Sequence, residues 1–164
     1  PFFTDQDEKR LLYELSKMSN PNHLRLTKLA LATGFRRSEL LSLTWRNIDL
    51  KKRVIYIHRK NCAATDDSSV LRLVPLPEKA EKILEESNER NGKVIELSKG
   101  AARNGFDKAR KRAGLQTLRF HDLRHIAISR MWSSGMNALE ISACSGHRDI
   151  KMLMRYSHYE LSLL

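Results

Sequence analysis

At 164 residues and 19.0 kDa, with 41% hydrophobic residues, the chain is long enough to bury a core as one domain and needs no second. Thirty Lys and Arg against 19 Asp and Glu give a formal charge of +11 and a pI near 10.0, which points to a polyanionic partner, nucleic acid ahead of an acidic membrane. Two cysteines, Cys62 and Cys144, without CxxC spacing exclude a disulfide framework and favour a reducing interior, and the lack of a long apolar run or a signal-like start argues for a soluble, non-secreted protein.

The chain opens on Pro1-Phe2-Phe3 without methionine, as a piece of a longer protein would. Thr4 followed by Asp7 reads as a helix cap, and Leu11, Leu12, Leu15 and Met18 recur at helical spacing until Asn20-Pro21. A second helix runs from about Leu24 to Thr33-Gly34, glycine being the usual residue just past a helix end. A third starts near Ser38 and carries Leu40, Leu41 and Leu43. Arg36 and Arg37 at its start oppose the positive end of the helix dipole, so either an anion sits against them or they reach water and Glu39.

From Arg53 to Ile57 the residues become β-branched and aromatic, and 70–74 alternate before Pro75, which predicts a hairpin or small sheet with a long polar connection carrying Lys60. A charged helix is expected over Glu78 to Asn88 and another over Ala101 to Ala113. The latter bears Arg103, Lys108, Arg110, Lys111 and Arg112, either a solvated face or a surface that tracks phosphates. A helix from about Asp122 to Gly135 places His121 and Arg124 on one side. Asn137 caps the next helix, expected to bury Leu139 and Ile141 and to end at Ser145-Gly146, and Asp149 caps the last, which carries Met152, Leu153 and Tyr156. The order of helices, small sheet and more helices describes an α+β, mainly α-helical domain with a small antiparallel sheet.

A phosphodiester under attack gathers charge on its non-bridging oxygens, and arginine answers with a planar, permanently charged fork. Arg36 and Arg124 can supply two such forks. A tyrosine with an ordinary pKa near ~10 needs neighbouring positive charge or a base to become a nucleophile, and the departing sugar oxygen needs a proton, a reason to want Lys60, His121 or His147 nearby. Such electrostatic stabilisation requires no metal. A rival reading takes His121-x-x-x-His125 as a metal pair resembling HExxH with Asp for Glu, but Arg124 would set positive charge beside the ion.

Gly34-Phe35-Arg36-Arg37-Ser38-Glu39-Leu40, His121-Asp122-Leu123-Arg124-His125, Ser145-Gly146-His147 and Arg155-Tyr156-Ser157-His158 together resemble the ordered signatures of tyrosine recombinases, the phage-integrase family. The resemblance covers essentially the whole chain and implies one catalytic domain over residues 1–164, with the family's amino-terminal DNA-clamping domain absent from this sequence. It implies that Arg36 and Arg124 grip the scissile phosphate, His121 assists proton transfer, His147 hydrogen-bonds the phosphate and Tyr156 attacks phosphorus to form a 3′-phosphotyrosyl bond. Lys60 matches the general acid, His125 and Glu39 support the site, and Arg37 with the basic helix residues above would contact DNA.

No cofactor, metal or ATP is expected on this reading. The expected partner is double-stranded DNA at a specific recombination site, bound as a tetramer on synapsed DNA and as a monomer when isolated. The expected location is the cytoplasm, at the nucleoid. Ser145 stands where the family usually has leucine, a small change at a packing position. The alternative class is a DNA-binding module that keeps the fold without the activity.

Overall fold

The Thr4 hydroxyl accepts the Asp7 N–H at 3.1 Å and the Asp7 carboxylate accepts the Thr4 N–H at 2.9 Å, so two amide donors left open by a helix start are satisfied reciprocally. From this cap α1 (Asp5–Ser16) runs with Leu11 and Leu15 buried. In the computed structural model the backbone is described for residues 3–58, 71–147 and 149–156, and the side chains for all of these but Leu71 and Tyr156. α2 (Asn22–Thr33) buries Leu26, Leu29, Ala30 and Leu31 and stops at Gly34, whose φ of 69° is the left-handed conformation glycine adopts without cost. α3 (Arg37–Ser42) follows at once and leaves Leu43 beyond its end.

A three-stranded antiparallel sheet comes next, in the order β1 (Ile48–Asp49), β2 (Val54–His58) and β3 (Leu71–Pro75). β1 is too short to announce itself in the sequence. The register sets Ile55 opposite Val74 and Ile57 opposite Arg72, and cross-strand partners share a face. That face is the buried one, so Arg72 is carried inward beside three aliphatic residues. Lys60 and its connection lie outside the described residues.

α4 (Glu78–Glu85) ends before the expected Asn88: the Ser87 hydroxyl bonds the Glu89 carbonyl at 3.0 Å, the kind of local bond with which serine competes against helix. α5 (Lys99–Arg112) starts earlier than expected, because Ser98 caps it by accepting the Ala101 N–H at 3.1 Å. α6 (Phe120–Ser133) also starts earlier, since Asp122 is not its cap but reaches back to accept the Arg119 N–H at 2.7 Å. α7 (Ala138–Ser145) is capped by Asn137, whose Oδ1 accepts the Leu139 and Glu140 N–H groups at 3.0 Å. The expectation that Leu139 is buried fails: it is 69% exposed, because Ile141, Cys144 and Ser145 define the inward stripe and Leu139 falls on the other side of the helix. α8 (Ile150–Leu153), capped by Asp149, passes into a 3₁₀ turn, Met154–Tyr156.

α2 is the central element, packed by α1, α3, α4, α5 and α6. The main core surrounds it, and an ion pair between Glu8 and Arg130 ties α1 to α6. A second, small cluster of Ile128, Trp132, Ile141 and Leu153 seats α7 and α8 on α6. Among the described residues no helix is long and apolar enough to cross a membrane.

Candidate active site

A cleft of about 1050 Å³ is lined from α3, β2, β3, α6, α7 and α8, and its walls bring together Arg36, Glu39, His121, Arg124, His125 and His147. Arg36 and Glu39 stand more than 80 positions before His121, Arg124 and His125, and α2 joins the two groups, because α3 follows directly from its end and α6 packs along it.

Arg124 is 3% exposed. Its Nη1 donates to the Gly34 carbonyl at 2.7 Å, and its Nη2 lies 3.2 Å from Nδ1 of His147. A buried cation is tolerable only with such partners. The turn after α2 is therefore part of the site: the chain reverses at Gly34, its carbonyl orients one guanidinium, and two residues later Arg36 presents the next.

Arg36 keeps an extended backbone at the start of α3 and donates its N–H to Glu39 Oε2 at 2.8 Å. Its Nη1 stands 3.5 Å from Glu39 Oε1 with the side chain half exposed, so it both pairs loosely with Glu39 and faces the cleft.

His147 also meets the Ser145 hydroxyl, 2.7 Å from its Nδ1, while the Ser142 hydroxyl donates to its backbone carbonyl at 2.7 Å. Burial first, then Arg124, Arg36, His125 and Arg72, push its pKa down to about 4. The ring is thus neutral at pH 7. Arg124 Nη2 also lies 3.5 Å from Nε2, so the guanidinium stands beside both ring nitrogens, and the neutral imidazole keeps one N–H that can be donated to a phosphate oxygen. From the sequence Ser145 is expected at a packing position. It is fully buried, and its polar atom orients the imidazole, which leucine could not do.

His121 and His125 lie one turn apart on α6 with ring centroids 4.9 Å apart, edge to face. Burial lowers the pKa of both, helped at His121 by His125 and Arg124. Among the described residues no group of three or more His, Cys, Asp or Glu side chains is placed to hold a metal ion.

The backbone of Tyr156 closes the 3₁₀ turn after α8, next to Arg155, which lines the cleft. Its side chain, Lys60 and His158 lie outside the described residues.

Arg37 is turned toward the Phe120 ring at 5.7 Å. Arg103, Lys108, Lys111 and Arg112 are exposed along α5 and do not line the cleft, whereas Arg110 donates to Asp107 at 2.8 Å and to the Gln116 carbonyl.

Arg72 was missed altogether. It is buried, lines the cleft and lies 3.5 Å from Glu39. The period of two places residues 72 and 74 on one strand face, and an arginine sharing a face with Val74 was the available signal.

The sequence matches the model of the phage integrase family over residues 1–161. It is 36% identical over 161 residues to the shufflon-specific DNA recombinase of Escherichia coli, an alignment that takes in 94% of this chain and 39% of the relative. It is 29% identical to the integrase of Salmonella phage P22, over 81% of this chain and 38% of that one. The chain thus spans less than half the length of these curated relatives. Among solved structures, the catalytic domain of bacteriophage HP1 integrase superposes with a TM-score of 0.75 at 27% identity, covering 96% of this chain and 87% of the other. XerA recombinase gives 0.72 at 20% identity, over 99% and 63%, a likeness of fold alone. With two arginines and three histidines of its ordered motifs gathered in one cleft, on the fold of a tyrosine recombinase catalytic domain, the chain belongs to the phage integrase family.

Proposed function

We propose that this chain is the catalytic domain of a site-specific DNA recombinase or integrase that cleaves and rejoins strands through a covalent tyrosyl intermediate. The observation that carries the reading is the convergence of Arg36, Arg124, His121 and His147 on one cationic cleft beside the segment that ends in Tyr156. The guanidiniums of Arg36 and Arg124 bind the non-bridging oxygens of the scissile phosphate, and neutral His147 donates its ring N–H to one of them. Tyr156 Oη gives up its proton, with His121 assisting, and attacks phosphorus. The bond to the 5′ oxygen breaks, Lys60 protonates that oxygen, and a 3′-phosphotyrosyl bond and a free 5′-hydroxyl result. Attack by a partner strand's 5′-hydroxyl reverses the step and returns the proton to Tyr156, so the bond energy is conserved and no ATP, metal or cofactor enters.

The substrate on this reading is duplex DNA at a specific site, held by a tetramer of otherwise monomeric subunits at the nucleoid in the cytoplasm. The +11 charge and the DNA present in solved structures of Tn1549 integrase and XerH recombinase support a DNA partner.

The test uses a library of nicked duplexes with randomised central base pairs, incubated with the protein in EDTA, with SDS-resistant protein–DNA adducts captured and sequenced. An adduct on a recurrent sequence, abolished by Tyr156→Phe and slowed by about 10²–10³-fold in Arg124→Ala, is expected. Strict dependence on a divalent metal, no adduct, or an adduct indifferent to both substitutions would sink the proposal.

A further inference from the structure

Arg72 has an odd environment for a permanently charged side chain. It is 9% exposed, its guanidinium lies 5.5 Å from the Phe35 ring, and its Nε and Nη2 are buried without a hydrogen-bond partner among the described residues. Burial opposes its charge, and Glu39 is the main group that favours it. Nη1 lies 3.5 Å from Glu39 Oε1, and that same oxygen is 3.5 Å from Arg36 Nη1, so one largely buried carboxylate is shared between two guanidiniums.

The end of α7 is shaped around the arrangement. Gly146 has a φ of +75°, and a Cβ there would overlap the Arg72 guanidinium. Only glycine both takes that conformation and leaves that space. The negative end of α7 and the Phe35 ring then face a cation whose only ion pair among the described residues is the 3.5 Å one with Glu39.

A shared carboxylate implies competition. Glu39 already accepts the Arg36 N–H at 2.8 Å, and an unopposed Glu39 would draw the Arg36 side chain into a close two-bond pair. In that pose the Arg36 fork is occupied by the carboxylate and is not open to a second anion. We propose that Arg72 is a positioning residue which, by sharing Glu39 Oε1, keeps the Arg36 guanidinium only loosely paired and available to the substrate phosphate. The inference rests on the recombinase reading. Arg72 itself touches no reacting atom, and it acts through Glu39.

The experiment compares wild type, Arg72→Met, Glu39→Gln and the double variant, using the adduct-forming duplexes selected from the nicked library. Arg72→Met is expected to slow single-turnover adduct formation by about 100-fold, the scale of a misplaced reacting group, with DNA affinity changed by less than about threefold, because a positioning residue acts on the rate step. In the Glu39→Gln background, where nothing competes for Arg36, the same substitution is expected to cost less than about threefold, a non-additivity that a merely structural arginine or a direct phosphate ligand would not show.

Equal costs in the two backgrounds, or no cost in the first, would overturn the inference. Should Arg72→Met not fold, the double variant, which leaves no buried charge unpaired, is compared with Glu39→Gln alone, and a further loss above about tenfold overturns it. An NMR readout needs no activity: without DNA, the Arg36 Nε–H signal of ¹⁵N-labelled protein should become exchange-protected in Arg72→Met and return to its wild-type state in the double variant. A Tyr156-independent or absent adduct in wild type would count against the recombinase reading, while the NMR arm would still decide the Arg72–Glu39–Arg36 relation.

Discussion

Arg124 and His147 show how one residue's chemistry depends on another's burial. Arg124 is buried against the Gly34 carbonyl and the His147 ring, and the histidine loses its charge first through its own burial and then through that guanidinium. The sign of the pH effect follows. In the fold His147 protonates only at about 4, against an ordinary value of 6.5, so between those values the unfolded chain binds more protons than the folded one. Its contribution to stability is fully present above pH 6.5 and is lost as the pH falls toward 4. His121 and His125, also lowered, act in the same direction. Urea unfolding stepped from pH 7 to pH 4 should give falling stability, less steeply in His147→Gln, and the His147 Cε1–H resonance should titrate near 4. A midpoint near 6.5 would show that the imidazole is not buried beside the guanidinium. The motif residues themselves were legible in the sequence, because they are clustered types with distinct chemistry. Their protonation states were not, because burial is decided by residues far away in the chain.

At the scale of elements, the C-terminal part of the site stands on four side chains. Ile128 and Trp132 of α6, Ile141 of α7 and Leu153 of α8 form a cluster of their own beside the main core. Leu153 is fully buried, while its neighbours Met152 and Met154 are about half exposed, so it is the anchor of the short helix that leads to Tyr156. Leu153→Ala should cost about 2–5 kcal/mol of local stability. Amide exchange would then quicken over 150–156 while α2 keeps its protection, and adduct formation would slow with Arg124 still in place. Uniform loosening of the whole protein would contradict an independent cluster. The helices were readable from caps and apolar spacing at Thr4, Gly34, Asn137 and Asp149. Boundaries differ where a side chain bonds the backbone, Ser98 forward to Ala101 and Asp122 back to Arg119, because such bonds depend on rotamers that spacing does not reveal.

For the molecule as a whole, the +11 charge predicts affinity for duplex DNA that falls steeply with salt. Exposed Lys108, Lys111 and Arg112 should each contribute if α5 tracks the backbone, and changing all three to Gln should flatten the slope of log K against log salt by about 0.9 for each phosphate no longer neutralised. Arg110→Gln should leave that slope nearly unchanged, since its guanidinium is committed to Asp107 and Gln116. An unchanged slope in the triple variant would place the DNA path elsewhere.

The sequence by itself determined the helical elements, the family and the kinds of residue that hold a phosphate, since these follow from local periodicity, caps and ordered motifs. Only the tertiary structure decided that Ser145 orients His147, that the Gly34 carbonyl anchors Arg124, and that Arg72 stands behind Glu39. Each of those relations joins residues through a turn, a strand register or a packed helix end, and proximity of that kind is set by where the chain returns in space.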